Sequence, residues 1–372
     1  MTGFSRIDTS TFARWWWTID RWTFVAIALL IVAGALLTLA ASPPAAKRIG
    51  LDSFHFVYRQ AAYLLVAASV LVSVSLLTPS GVRRLGLILF GGGLALLAAT
   101  PFIGVEIKGA RRWISLWGLS LQPIEIVRPA FAVVAAWLFA AAHSHERFPG
   151  RTIATLLYLA VVALLLMQPD FGMVVVVSLV WFLQFFLAGL PLPWVGVLAS
   201  LGLTGLAAGY FSLPHVANRI DRFLDPASGD TYQVSTGLEA FMNGGLFGRG
   251  PGEGRVKEAL PDAHADFVFA VVGEEFGLIA CLAIVALFAF VVLRGFARAI
   301  SEGNLFVMLA SAGLLAHFGL QALVNMASTL SLAPTKGLTL PFISYGGSSL
   351  IGAGVAMGMV LALTRRHAGV AR

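Results

Sequence analysis

The sequence predicts an all-α polytopic membrane protein of about ten transmembrane helices, with one large extracytoplasmic loop between helices seven and eight. Three observations carry that prediction. Apolar residues make up 58% of the 372-residue chain and charged residues only 12%, where soluble domains carry roughly a quarter charged. Apolar stretches long enough to cross a bilayer, which takes about 20 residues, recur along the whole chain. One polar connection, residues 214–265, is far longer than the others. An ordinary soluble protein is excluded.

In chain order the candidate spans are 22–42, 57–77, 84–101, 124–142, 152–168, 171–188, 192–212, 267–293, 305–327 and 344–364. Those at 84–101, 152–168 and 171–188 are short, so hydropathy does not fix their ends. Residues 1–21 are polar and read as a cytoplasmic segment without a cleavable signal. Their Trp15, Trp16 and Trp17, with Trp22, suit an interfacial aromatic belt. Residues 22–365 form a single transmembrane domain, and 366–372 a cytoplasmic tail. The single cysteine, Cys281, lies in an apolar span and cannot form an internal disulfide. Gly248-Arg-Gly250 follows no strand pattern, so a dinucleotide fold is not indicated.

The net charge of +7 invites a nucleic-acid reading. The basic residues are scattered through short loops, however, and no soluble domain exists to display a groove-reading element, so nucleic acid is not an expected partner. With the N-terminus inside, 12 of the 25 basic residues and four of the 18 acidic ones fall on the cytoplasmic side. Lys and Arg counts alone therefore do not decide the orientation. The N-inside arrangement rests on arginine in every inner loop except 189–191. The outer basic surplus points to an anionic ligand.

Irregular segments are the informative ones. Connections as long as 214–265 are usually functional or disordered, and this one is not low-complexity; its residues 232–242 suit a short amphipathic helix on the membrane surface. Gln168-Pro-Asp-Phe-Gly172 reads either as a tight outer turn or as a break within a helix pair. Residues 334–349, Pro-Thr-Lys-Gly-Leu-Thr-Leu-Pro-Phe-Ile-Ser-Tyr-Gly-Gly-Ser-Ser, carry two prolines and three glycines between two apolar stretches. Such a segment forms neither a regular helix nor a central strand. At membrane depth it is tolerated only where protein or a water-filled cavity surrounds it, so it is expected to line a site.

Candidate chemistry clusters nearby. Asp266 begins the eighth span, with Glu274 on the same helical face and Glu275 beside it. An acidic residue near a helix centre costs about 2.5–3.5 kcal/mol in lipid, so the glutamates must face the bundle interior, be paired or be protonated. A functional cavity accounts for them, as do interhelical hydrogen bonds with Asp266 as a helix cap. His264 stands near Asp262 and Asp266, but no second histidine lies at a ligand spacing, which favours a structural role over a metal. Arg219, Arg222, Arg249, Arg255 and Lys257 crowd the long loop, and Arg111 and Arg112 another. Arginine suits bidentate phosphate recognition; together these cations beside carboxylates read as an anionic-substrate site next to a base. Glu125 and Arg128 can pair along one helix face, or Arg128 can snorkel to the interface.

These pieces together resemble the SEDS family of cell-wall synthesis proteins. The resemblance runs from about residue 20 to 365 and is carried by four places: Arg112-Trp-Ile with Gln122-Pro; Gln168-Pro-Asp-Phe-Gly172; Leu260-Pro-Asp-Ala-His-Ala-Asp-Phe267 through Gly273-Glu-Glu275; and 334–349. Pro-Thr-Lys-Gly-Leu-Thr-Leu-Pro and Gln-Pro-Asp-Phe-Gly look more like the division-associated branch than the elongation-associated one. The sequence departs from the family pattern at Thr236-Gly237 and at Gln122-Pro-Ile-Glu125 with Arg128.

The resemblance implies a peptidoglycan glycosyltransferase that polymerises lipid II on the outer face of the inner membrane, at the division septum. It implies a class B penicillin-binding transpeptidase as partner. The family's proposed catalytic aspartate falls on Asp266. The expected reaction is an inverting transfer from a polyprenyl diphosphate donor, with Asp266 as general base. Lys257, Arg219, Arg222, Arg112, Gln122, His264, Glu274, Lys336, Ser344, Tyr345, Gly346, Gly347 and Ser348 are the expected substrate-binding residues. A divalent cation such as Mg2+ or Mn2+ is compatible with this chemistry, and nothing in the sequence requires one. A lipid II flippase and a division scaffold are the rival readings.

Overall fold

The computed structural model describes residues 10–107, 109–116, 119–225, 232–334 and 337–365. All ten expected spans are helices. They are α2 (Arg21–Arg48), α3 (His55–Ser75), α4 (Pro79–Ile103), α5 (Ile124–Ser144), α6 (Gly150–Met167), α7 (Phe171–Leu187), α8 (Leu192–Ser212), α12 (Val268–Ile300), α13 (Leu305–Thr329) and α14 (Gly347–Leu363). Eight are long and apolar enough to span a bilayer, while α7 and α14 are shorter. A short helix, α1 (Thr11–Thr18), precedes them, and α9 (Pro214–Leu224), α10 (Tyr232–Gly244) and α11 (Val256–Ala259) occupy the long connection. Of the flanking segments expected from sequence, 1–9 and 366–372 lie outside the described residues.

Helices α5 and α13 are almost wholly enclosed. Their apolar surface is continuous around the circumference, as suits the centre of a bundle rather than its rim. Helix α8 is the opposite case, buried only at Gly209, which rests on the Phe171 ring. At the side of the bundle that holds α1, the buried Asp20 carboxylate accepts from Arg294 (2.7 and 2.9 Å), Arg298 (2.9 Å) and the Thr23 hydroxyl (2.8 Å). That clamp fastens the start of α2 to the end of α12. The cavity described below opens on the other side.

Three features depart from expectation. Between α4 and α5 lies a small antiparallel sheet, β1 (Val105–Ile107), β2 (Ala110–Leu116) and β3 (Leu119–Leu121), in order β1-β2-β3. Helix α10 forms where a surface helix was expected, but it docks against α12 instead of simply lying on the membrane. Glycines make that approach feasible: a side-chain carbon at Gly244 would stand 1.8 Å from the Gly273 carbonyl oxygen, and Gly237 faces Phe267. Finally, α12 is not straight.

Its break falls at Gly277, whose φ of 76° belongs to the left-handed region that glycine tolerates. The loop after α10 supplies what the break leaves unpaired. The amides of Arg249 and Gly250 donate to the carbonyls of Glu274 and Glu275 at 3.0 Å. The amides of Leu278 and Ile279 donate to Gly245 and Leu246 at 2.9 and 3.3 Å. Irregular backbone is thus sheltered by protein, as a membrane interior demands.

Candidate active site

Asp266 belongs to a turn, not to a helix. The amides of Ala265 and Asp266 both donate to the Asp262 carbonyl, at 3.0 and 3.1 Å, and α12 starts only at Val268. The turn is held from below. Asn325 on α13 donates its side-chain amide to the carbonyls of both Asp266 (3.0 Å) and Leu338. From this turn Asp266 lines a cavity of about 610 Å3, within the range typical of small-ligand sites.

The segment before α14 forms another wall. The Tyr345 amide donates to the His264 carbonyl, and the Ser344 hydroxyl to the Ala265 carbonyl. Gln60 on α3 donates to the Ser344 carbonyl at 3.2 Å, while Gln321 on α13 donates to the Thr339 carbonyl at 3.0 Å. The hydroxyl of Ser348 accepts the Gln122 amide and donates to the Ser120 carbonyl, both at 3.0 Å. Polar side chains of neighbouring helices thus satisfy a backbone that cannot satisfy itself. Leu338, Thr339, Tyr345, Gly346 and Gly347 reach the cavity.

Three arginines line the same cavity: Arg59 on α3, Arg112 on β2 and Arg219 on α9. Arg112 is aimed by the Gln168-Pro-Asp-Phe-Gly turn, donating to the Gln168 carbonyl at 3.1 Å and to that of Pro169. That turn is fixed in place: Gln168 donates to the Leu97 carbonyl at 2.9 Å, and Asp170 caps α7. Burial lowers the pKa of Arg219, as do Arg112 and Arg222, against the opposing pull of Asp170 and Asp266. A guanidinium nevertheless stays charged. Burial likewise pushes His215 down, helped by Arg219 and Arg112 and resisted by Asp170.

Of the residues expected from sequence, Asp266, Arg112, Arg219, Gln122, Tyr345, Gly346 and Gly347 meet at this cavity. Among the described residues, the others do not line it. Glu274 is fully buried and accepts the amides of Arg255, Val256 and Lys257 at 2.7, 2.8 and 3.2 Å. Lys257 is buried and paired with Glu275, so it is spent on an internal ion pair instead of an open anion site. His264 packs its ring on Phe56 (centroids 4.6 Å apart) and beside Tyr345. Ser344 and Ser348 act from behind the wall. Arg222 is exposed on α9, near Arg219. Lys336 lies outside the described residues. Arg128 does not snorkel: it is buried and paired with Glu125. Among the described residues, no three His, Cys, Asp or Glu side chains converge as metal ligands.

Arg59 and Tyr63 were missed by sequence reasoning. The available signal was the Arg59-Gln60 pair, two strongly polar residues at the start of an apolar span.

Comparisons place this arrangement among known proteins. Residues 21–368 match the family model described as cell cycle protein, which groups FtsW, RodA and SpoVE. FtsW of Caulobacter vibrioides, described as a probable peptidoglycan glycosyltransferase, is 45% identical over 98% of this chain and 94% of its own. Its counterpart in Saccharophagus degradans, described in the same words, is 35% identical over 94% and 90%. Among solved structures, one chain from a peptidoglycan synthase complex that coordinates polymerization and crosslinking superposes with a TM-score of 0.76 at 30% identity, covering 93% of this chain and 97% of that one. The rod shape determining protein RodA of Thermus thermophilus gives 0.67 at 28% identity, covering 94% and 97%.

Proposed function

The chain belongs to the FtsW, RodA and SpoVE family of cell cycle proteins, and on that premise we propose that it polymerises lipid II into glycan strands during cell division. One observation carries the reading: a carboxylate, Asp266, opens into the same cavity as Arg59, Arg112 and Arg219. Sugar transfer from a lipid diphosphate needs a base on the acceptor hydroxyl and positive charge for the departing diphosphate. It needs no second carboxylic acid, because diphosphate leaves without the protonation that a glycosidase gives an alkoxide.

In this reading Asp266 accepts the proton of the acceptor hydroxyl as that oxygen attacks the donor's anomeric carbon. The bond from that carbon to diphosphate breaks on the opposite face, so the configuration inverts. Its electron pair leaves with the diphosphate, which the guanidiniums receive. Gln122 and the segment 337–349 shape the space for the sugars, and Asn325 with Ser344 hold the turn that carries the base. Both lipid-linked substrates stay in the bilayer throughout, with the cavity on the extracytoplasmic face at the septum. A class B transpeptidase is the partner that crosslinks the product.

The test is purified protein, with and without that transpeptidase, given labelled lipid II and analysed on a gel for glycan strands. Asp266→Asn is expected to make no polymer while remaining monodisperse and partner-bound. A wild-type yield from that variant removes Asp266 as the base, whereas wild-type protein that makes no polymer even with its partner leaves a flippase or a scaffold as the better account.

A further inference from the structure

The connection between α8 and α12 turns inward at its middle. Helix α10 begins near Ala259, whose carbonyl accepts from the Tyr232 hydroxyl at 3.3 Å, and by Gly244 it has run alongside Gly273. The chain then reaches further along α12, where the amides of Leu278 and Ile279 donate to Gly245 and Leu246. From there it returns past Glu274 and Glu275 to Lys257 and the Asp266 turn. Residues 240–248, Ala-Phe-Met-Asn-Gly-Gly-Leu-Phe-Gly, carry no charge, while Glu239 and Arg249 flank them. Met242, Leu246 and Phe247 are 77%, 60% and 79% exposed, next to the exposed Leu278 and Ile279 of α12, with exposed Leu282 one turn further on.

We propose that residues 242–248 are a re-entrant loop inserted into the bilayer leaflet nearer the cavity, with Met242, Leu246 and Phe247 packed among lipid acyl chains. The depth follows from α12. The clamp of Arg294 on Asp20 stands where the first span begins, so it marks the opposite face of the membrane. At 1.5 Å per residue, Ile279 lies about 22 Å along the helix from Arg294, less than the roughly 30 Å of hydrocarbon in a bilayer. Tilting α12 shortens that height and sets the loop deeper still. Irregular backbone at such a depth must find its partners within protein. Here the amides of Gly245 and Gly248 donate to the carbonyls of Phe241 and Gly244 at 3.3 and 2.8 Å, and α12 takes the Gly245 and Leu246 carbonyls. Charge returns only at Arg249, whose amide has climbed back to the Glu274 carbonyl, where a guanidinium reaches the headgroup level. Acyl chains are the fitting occupant because the exposed side chains of the loop extend the apolar face that α12 turns outward at Leu278, Ile279 and Leu282. The inference goes beyond the polymerase reading and does not require it.

The experiment uses the full chain carrying Cys281→Ala, which removes its single cysteine, with one new cysteine from Phe247→Cys, Tyr232→Cys or Leu282→Cys. Each variant is labelled with bimane and reconstituted in phosphatidylcholine nanodiscs. Three quenchers are compared: aqueous iodide, a nitroxide on the acyl chain near the headgroup, and a nitroxide near the bilayer centre. The label at 247 is expected to lose its fluorescence to the shallow acyl nitroxide and to keep it in iodide. The label at 232, at the start of α10, should be quenched by iodide, and the label at 282 most strongly by the deeper nitroxide. Where Phe247→Cys fails to run monodisperse, Met242→Cys reports the same apolar face. Iodide quenching at 247 as strong as at 232 places the loop in water and overturns the proposal. Protection from iodide and from both nitroxides overturns it too, because another protein surface, such as a second copy of the chain, then covers the loop.

Discussion

The backbone amide of Tyr345 donates to the carbonyl of His264 at 2.9 Å, joining the irregular segment before α14 to the turn that carries Asp266. One residue earlier, Ser344 completes the joint. It is 1% exposed, donates to the Ala265 carbonyl and accepts the Leu340 amide at 2.8 Å. Ser344→Ala leaves that buried amide without its acceptor, at a cost of about 1–3 kcal/mol. A lower unfolding temperature should accompany a lower polymer yield, since Ala265 adjoins the base. Thermal unfolding in detergent and the gel assay check both halves; full activity in a destabilised protein would separate the joint from catalysis.

Lys257 and Glu275 form a buried ion pair, Lys257 donating also to the Ala40 carbonyl at 3.1 Å. Removing one partner strands a charge, and breaking a buried pair in this way costs about 3–5 kcal/mol. Lys257→Met should therefore be the more damaging change, and Lys257→Met with Glu275→Gln the milder one. A double-mutant cycle read by thermal unfolding measures the difference. If the double variant is the sum of its singles, the pair is not coupled.

How far the sequence reveals such features depends on what enforces them. Lipid sets a minimum length and apolarity for each span, so all ten helices were legible. The carboxylates were legible too, as groups that lipid would not accept. Their destinations were not, because a straight helix from Asp266 would have aligned it with Glu274. Residues 262–267 form a turn instead, and α12 breaks at Gly277. Lys257 looked like a loop cation until the chain folded back and buried it beside Glu275. The sheet at 105–121 escaped notice because its strands are only 3, 7 and 3 residues long.

Glycines divide into those that a neighbour requires and those that none does. A side chain at Gly244 would collide with the Gly273 backbone, whereas at Gly91 on α4 it would meet nothing within 4 Å. Gly244→Ala should push α10 off α12 and loosen the 245–250 loop that caps the Gly277 break. Overpacking of this kind costs typically about 1–3 kcal/mol, and backbone that cannot yield makes the upper end the expectation. Gly91→Ala should be neutral or stabilising by up to about 1 kcal/mol, because alanine restricts the unfolded chain and favours helix. Unfolding temperatures of the two variants, measured side by side, should move apart or in opposite directions.

Acid should weaken the fold through two histidines. Burial pushes His264 below its ordinary 6.5, with Asp262 opposing, and His215 shifts the same way through burial, Arg219 and Arg112, against Asp170. For each, the unfolded chain binds more protons than the folded one between the lowered value and 6.5. Stability is therefore constant above that window, falls as pH drops through it, and levels off below the lowered values. Unfolding temperatures compared at about pH 7.5 and about pH 5.5 should show the loss. His264→Phe preserves a ring against Phe56 and should shrink the difference, and adding His215→Gln should shrink it further. If the acid sensitivity survives in the double variant undiminished, carboxylates elsewhere are its source and neither imidazole is held neutral by its surroundings.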